Sequence, residues 1–311
     1  MRALFYNLRG FGGRGRRTQL RDYMQQERID ILGLQETIRQ DFSAAELRSL
    51  EQGGQFNWNW VPANGHSGGM LLGFRDECFE VGAWRKGSFF ISADIFHRCK
   101  RLIWTCILVY GPADHSRTRE FLDELVSEVE ACHYPLIIGG DFNLIRGAHD
   151  KSNDNINWPR VRQFNDVIAS LALREINRTG ARFTWTNRQL SPVRSVLDRV
   201  FVSPAWEQVF PLCSLLAVTR VGSDHNPLLF DDGEQGVRRP SRFIFQSWWL
   251  RVAGFDEMVK GKIDHCIHAL GPHRCSVDLW QCIARCLRQH LRGWGANLGK
   301  LRRQVRDDLI S

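Results

Sequence analysis

The chain reads as an α/β fold in which two β-sheets pack face to face with helices outside them, followed by a basic helical extension. Three observations predict this. Over residues 1–231, about ten short apolar runs rich in Val, Ile, Leu, Phe and Trp are mostly bounded by Gly, Asp or Asn, as strands are. Only a few amphipathic segments lie between them, and that ratio suggests two packed sheets with external helices. The charge then changes character: residues 1–231 hold 28 Lys+Arg against 26 Asp+Glu (+2), whereas residues 232–311 hold 14 against 8 (+6).

The strand candidates, in order, are Arg2–Leu8, Asp30–Leu34, Phe56–Val61, Gly69–Phe74, Phe89–Phe96, Leu102–Tyr110, Leu136–Gly140, Val196–Val202, Leu215–Val221 and Pro227–Phe230. Helices are expected over Arg16–Arg28, Ser43–Glu51, Arg117–Cys132 and Arg160–Leu171. In the third, Phe121, Leu125 and Val129 recur every four residues with charges between them, the pattern of a surface helix. Residues 232–242 are polar and Gly-containing and form the expected linker. In the extension, 243–311, Leu287, Leu291, Trp294, Leu298, Leu301 and Val305 recur at four- and three-residue steps as a short coiled-coil-like seam. Arg288, Arg292, Lys300, Arg302, Arg303 and Arg306 are interleaved with it. Gly293, Gly295 and Gly299 weaken such a helix by about 1 kcal/mol each relative to Ala. Self-packing, pairing with a second chain and nucleic-acid contact are the three expected uses of the seam.

Bulk properties narrow the function classes. The 311 residues suffice for a substantial core, and a hydrophobic fraction of 43% excludes wholesale disorder. A net charge of +8 favours a polyanionic partner such as nucleic acid without naming one. Nine cysteines with no CxxC and no secretory signal fit reduced thiols inside a cell, in nucleus or cytoplasm, with the nucleus favoured only by a DNA substrate. No apolar run approaches the roughly 20 residues that span a bilayer, so no membrane partner is expected. Arg2–Asn7 already reads as a strand, and no cleavable targeting peptide is expected before it.

Polar residues stand where several strands end, the place where an α/β scaffold presents its chemistry. Asn7 follows Leu4-Phe5-Tyr6, Glu36 follows Ile31–Gln35, and Asp141 and Asn143 follow Leu136–Gly140. Asp198 lies in Val196–Val202, and Asp224-His225 follows Val221-Gly222-Ser223. Singly, each reads as a turn or helix cap, because such side chains bond nearby backbone N–H groups. Their order along the chain says more.

Eight strings appear in sequence: Tyr6-Asn7-Leu8-Arg9-Gly10, Leu34-Gln35-Glu36-Thr37, Ser67-Gly68-Gly69-Met70, Val109-Tyr110-Gly111-Pro112, Gly139-Gly140-Asp141-Phe142-Asn143, Phe183-Thr184-Trp185, Leu197-Asp198-Arg199 and Gly222-Ser223-Asp224-His225-Asn226-Pro227. Together, over residues 1–231, the set resembles the endonuclease/exonuclease/phosphatase superfamily. It is most similar to the exonuclease III-like apurinic endonuclease branch and to the endonuclease domains of plant LINE-type retrotransposons. The resemblance implies a four-layer, DNase I-like α/β sandwich of two mixed sheets. It also implies Mg²⁺ (Mn²⁺ as substitute) held by Glu36, with Asn7 beside it and Asp224 sharing a metal, since Mg²⁺ takes few protein ligands and keeps waters and phosphate oxygens. Asp141, helped by Asn143, would position or deprotonate the attacking water. His225, paired with Asp198, would stabilise charge on the phosphate, and Tyr110 would hydrogen-bond a phosphate oxygen. An Asp against an imidazole fixes its tautomer and raises its pKa, favouring the donating form.

Two positions depart from the repair-enzyme pattern. Arg9 stands where apurinic endonucleases often carry an acid, and Ala113 follows Pro112 where they place an Asn. Abasic-site repair is thereby disfavoured, while phosphodiester hydrolysis is not. Phe243, Phe245, Trp248, Trp249, Leu250 and Phe255, with the basic helix beyond, look similar to the connector that precedes a reverse transcriptase in plant-type LINE polyproteins. A competing cluster of His265, Cys266, His268, His273, Cys275, Cys282, Cys286 and His290 matches no common zinc spacing, so core or helix-surface positions are expected there.

The reading that follows is metal-dependent phosphodiester hydrolysis, with endonucleolytic nicking of DNA in a retrotransposon-derived protein as the leading form. The alternatives are a hydrolase of the same fold acting on RNA or on inositol or lipid phosphates, and a non-catalytic nucleic-acid-binding remnant. Loops 189–193 and 149–159 are candidate DNA contacts, and His115, Arg117 and Arg119 are candidate phosphate contacts or solvated helix-start residues.

Overall fold

The structure, a computed structural model, describes residues 1–51, 54–65, 67–218, 222–233 and 247–270, together with positions 280, 283, 284, 286, 287, 290, 291 and 294. The chain divides into two compact units, Met1–Glu234 and Gln235–Ser311.

The first unit opens with β1 (Arg2–Asn7), α1 (Arg14–Glu27), β2 (Ile31–Gln35) and α2 (Ala44–Arg48). The hairpin β3 (Phe56–Asn64) and β4 (Ser67–Arg75) follows, then the meander β5 (Phe79–Lys86), β6 (Phe90–His97) and β7 (Leu102–Tyr110). Helix α3 (Thr118–Glu130) leads to β8 (Leu136–Asp141), and α4 (Trp158–Ser170) precedes the short β9 (Arg174–Glu175), β10 (Arg178–Gly180), β11 (Trp185–Thr186) and β12 (Arg194–Ser195). The unit closes with β13 (Asp198–Val202), α5 (Pro204–Val209), β14 (Ser214–Ala217) and β15 (Leu228–Asp231).

Seven strands form one sheet in the order β10-β14-β15-β1-β2-β4-β3, and six form the other in the order β5-β6-β7-β8-β13-β9. Both are mixed: β1 pairs parallel with β2 and antiparallel with β15, and β7 pairs parallel with β8 while β8 and β13 run antiparallel. Period-two alternation explains the layering. On β1, Ala3 and Phe5 enter a core with Trp104, Cys106 and Leu108 of β7, so this core lies between the sheets. Leu4 and Tyr6 face Leu20 and Met24 of α1 instead. Ile107 and Val109 of β7 turn outward onto Phe121, Leu125 and Phe164 of α3 and α4. Three apolar interfaces thus separate four layers, which is the DNase I-like α/β sandwich.

The expected strands are present to within a few residues at their ends, except that Val221 lies outside the described residues. Several elements had no clear sequence signal: the two- and three-residue strands β9, β10, β11 and β12 are too short to show alternation, and β5 and α5 were missed as well. The edge strand β5 carries a register shift between Val81 and Trp84, which breaks the alternation that would mark it. Helix α5, six residues capped by Ser203 with Pro204 in its first turn, is too short to show a 3.6-residue period.

In the second unit a turn at Ser247–Arg251 precedes α6 (Phe255–Leu270). Trp249, Phe255 and Leu291 form a small buried cluster against which Trp294 packs. Leu298, Leu301 and Val305 of the expected seam, most of the expected linker, and His273, Cys275 and Cys282 lie outside the described residues. Among the described residues no helix is long and apolar enough to cross a membrane.

Candidate active site

Strand register builds the site. Tyr110 of β7 lies opposite Asp141 of β8, and Asp141 lies opposite Asp198 of β13, so one row across the second sheet carries all three. In the first sheet Asn7 of β1 lies opposite Gln35 of β2, and Glu36 is the next residue. The parallel pairs β1–β2 and β7–β8 end on the same edge of the sandwich, where the polar residues face one another across the inter-sheet core. Gly140 lets β8 lie close against β7 there: its φ is +142°, and a Cβ on it would lie 2.2 Å from the Val109 carbonyl oxygen.

Hydrogen bonds then orient each group. The Asn7 side-chain amide donates to Asp141 Oδ2 at 3.0 Å, and the Asn143 backbone N–H donates to Asp141 Oδ1 at 2.9 Å. His225 Nδ1 is 2.9 Å from Asp198 Oδ2, and its Nε2 is 3.7 Å from Asp141 Oδ2. Thr184 Oγ1 accepts from the backbone N–H groups of Leu197 and Asp198, fixing the carboxylate behind the imidazole. Ser223 ties this loop to β1: its hydroxyl donates to the Asn7 carbonyl at 2.7 Å and accepts from His225 N–H at 3.1 Å.

Burial and charge set the protonation states. Burial raises the Asp141 carboxyl to about 7, against the opposing pull of His225. Burial alone would lower the His225 pKa, but the Asp198 and Asp141 carboxylates outweigh it and raise the imidazole to about 9. The imidazole is therefore a cation at neutral pH, flanked by two carboxylates.

A cleft of about 700 Å³ opens over these groups, and its lining includes Glu36, Asp141, Asn143, Asp224 and His225. Asn7 and Asp198 stand behind it, bonded to Asp141 and His225 respectively. The Tyr110 hydroxyl, to which the resemblance assigns a phosphate oxygen, donates instead to Glu36 Oε1 at 2.6 Å. Burial, with the Glu36 and Asp141 carboxylates, holds its proton well above the ordinary phenol range. The Asn143 side-chain amide donates to the Gly111 carbonyl at 2.8 Å, while its backbone N–H supports Asp141.

Two arrangements could hold a cation. Asp141, Asp198 and His225 offer ligand atoms within 4.8 Å of one another. That cluster is a poor Mg²⁺ site, because Asp198 is engaged by an imidazolium that repels a metal, and Mg²⁺ prefers oxygen donors and retained waters. Glu36 fits better: its carboxylate lines the cleft, and Tyr110 orients one oxygen. Asp224 also lines the cleft, with Oδ1 buried and lacking a hydrogen-bond partner.

Several further residues join the site through contacts that the sequence did not show. Trp185 Nε1 donates to Asp224 Oδ2 at 3.2 Å, and Arg9 pairs with the same oxygen. Lys151, Asn153, Asn155, Asn157 and Arg160 line the far wall, four of them inside the loop 149–159 named from sequence; Val193 of the loop 189–193 lines it as well. His115 lines the cleft, whereas Arg117 pairs with Glu120 and Arg119 with Asp123 on their own helix.

A DNase I-like sandwich with acids, an amide and an imidazolium at the strand ends defines a phosphate-ester hydrolase scaffold. The chain belongs to the Endonuclease/Exonuclease/phosphatase family, whose model matches residues 4–225. This family comprises hydrolases of nuclease and phosphatase type, and that is the coarse class of the protein. No curated protein matches the chain. Among solved structures, it is similar to the endonuclease domain of TRAS1, a telomere-specific non-LTR retrotransposon, at 19% identity and TM-score 0.57, covering 76% of this chain and 99% of that one. It is similar to an AP endonuclease from Leishmania major at 14% identity and TM-score 0.57, covering 74% and 86%. It is also similar to a 3′ phosphatase from Neisseria bound to product DNA hairpin, at 19% identity and TM-score 0.59, covering 74% and 98%. At these identities the likeness shows the shared fold.

Proposed function

We propose that the protein is a Mg²⁺-dependent endonuclease that nicks DNA, with a retrotransposon-type origin. The observation that carries this reading is the pairing of Glu36 with the Asp141–His225–Asp198 relay in one cleft. The +8 net charge and the cationic far wall of Lys151 and Arg160 favour a polymeric polyanion over a small phosphate ester. Mn²⁺ would replace Mg²⁺.

In this reading His225 donates from Nε2 to a non-bridging phosphate oxygen and meets the charge that grows there, while Asp198 keeps it protonated and oriented. Asp141, held by Asn7 and the Asn143 backbone, takes the proton of the attacking water. The water oxygen bonds to phosphorus as the ester P–O bond breaks, and the departing oxygen leaves with the electron pair of that bond. Glu36 holds the metal, with Asn7 as the remaining candidate contact, and Tyr110 orients Glu36; Asp224, the other candidate from the sequence, is engaged by Arg9 and Trp185. The bound ion supplies Lewis acidity to the phosphate and stabilises the leaving oxygen. No covalent enzyme intermediate is needed.

The test is nicking of supercoiled plasmid in Mg²⁺ or Mn²⁺ by wild type, Glu36→Ala and His225→Ala. Both variants are expected to lose at least ~100-fold, the scale of removing one transition-state stabiliser. Equal activity in all three refutes the mechanism. Polyadenylate and a soluble inositol phosphate, assayed alongside, should be poorer substrates; preference for either replaces DNA as the substrate.

A further inference from the structure

We infer that Arg9 occupies the position of a second cation on Asp224, so that the site takes a single divalent ion, held by Glu36. The inference rests on Glu36 being the metal carboxylate.

Arg9 follows β1 in the left-handed region (φ 51°), where its backbone N–H donates to Asn7 Oδ1 at 3.1 Å. The neighbouring Gly10 N–H donates to the Glu36 carbonyl at 2.6 Å, joining this turn to the metal carboxylate's own loop. Arg16 clamps the turn from behind, donating to the carbonyls of Leu8, Arg9 and Gly10 at 3.1, 3.0 and 2.7 Å, and to that of Gly222 at 3.3 Å. The backbone on both sides of the Arg9–Asp224 pair is thus tied to one side chain.

The Arg9 side chain is 64% exposed, whereas that of Asp224 is 4% exposed. Arg9 therefore covers the carboxylate from the solvent side, the direction from which a hydrated ion would come. Asp224 Oδ2 accepts from both Arg9 and Trp185, which leaves it little capacity to bind a metal. The remaining oxygen, Oδ1, is sealed from solvent.

Charge counting gives the same answer. With Asp141 ionised, Glu36, Asp141, Asp198 and Asp224 carry four negative charges, and His225 and Arg9 carry two positive ones, a net of −2. One divalent ion neutralises that cluster. Without Arg9 the net is −3, and Asp224 becomes a free carboxylate at the cleft, able to draw a second ion.

Mn²⁺ binding measured by calorimetry and by electron paramagnetic resonance, without substrate, tests this. Wild type should bind one Mn²⁺ per chain and Arg9→Ala two, while Arg9→Lys, which keeps the positive charge, should stay at one. Asp224→Asn should leave the wild-type stoichiometry at one, with affinity changed by no more than about 3-fold, the usual reach of a screened neighbouring charge. Two ions in wild type, one ion in Arg9→Ala, or a 10-fold or greater affinity loss in Asp224→Asn overturns the inference. Glu36→Gln separates the two readings: if it retains the wild-type ion, the assignment of Glu36 itself has failed.

Discussion

Replacing Asp198 by Asn removes the charge that keeps His225 protonated while preserving size and a hydrogen-bonding side chain. His225 is raised to about 9 from an ordinary 6.5, with burial opposing and Asp198 the largest of the three carboxylate contributions, ahead of Asp141 and Asp224. If the variant imidazole returns to about 6.5, its protonated fraction at pH 8 falls from about 90% to about 3%, a roughly 30-fold loss of the donating form. At pH 6 both proteins hold roughly three-quarters or more of the imidazole as cation, and this loss nearly disappears. The assay is kcat/KM for plasmid nicking from pH 6 to 9 at saturating Mg²⁺, with imidazole titration followed by NMR. A wild-type to variant ratio that rises from about 1.3 at pH 6 to roughly 30 at pH 8 is expected. A ratio that is independent of pH, or an NMR titration that does not move, refutes the relay.

Two further outcomes follow from the same geometry. Because the folded pKa of His225 lies above its unfolded value, its stabilising contribution is fully present below pH 6.5 and is lost as pH rises through about 9. Asp141, raised from 3.8 to about 7, acts in the same direction at lower pH, since the folded state holds the extra proton there. Thermal unfolding in EDTA should therefore show a falling Tm between pH 6.5 and 9, with a His225 contribution on the order of 3 kcal/mol, and a flat profile contradicts it. Gly140→Ala adds a methyl 2.2 Å from the Val109 oxygen at a φ of +142°, so a loss of about 3 kcal/mol or more is expected in denaturant melts. A wild-type midpoint for that variant contradicts the close approach of β8 to β7.

The fold was legible where burial imposes a repeating pattern. The strands of both sheets, β1 and β7 among them, alternate between two apolar environments or run through continuous burial, and composition and bounding Gly or Asp mark them. Strand β5 escaped because it is an edge with a bulge, and α5 because six residues hold less than two turns. The acids and amides of the site were legible as a set of strand ends in family order. The contacts among them were not. Tyr110 bonding Glu36, and Arg9 bonding Asp224 across 215 positions, depend on which strand ends share an edge, which no local spacing records.

The sequence by itself determined two packed sheets and the polar residues at the ends of the central strands, because side-chain period and turn chemistry are local properties, and the ordered strings carried the resemblance to the family. Tertiary structure alone decided which of those residues touch. Pairing β8 with both β7 and β13 sets Tyr110, Asp141 and Asp198 in one row, and packing the two sheets brings Asn7 onto Asp141. It also decided the charge states, since the values of Asp141 and His225 are set by a shared buried environment assembled from residues up to 134 positions apart in the chain. The physical reason is that low dielectric and neighbouring charge act through space, and only the folded chain defines that space.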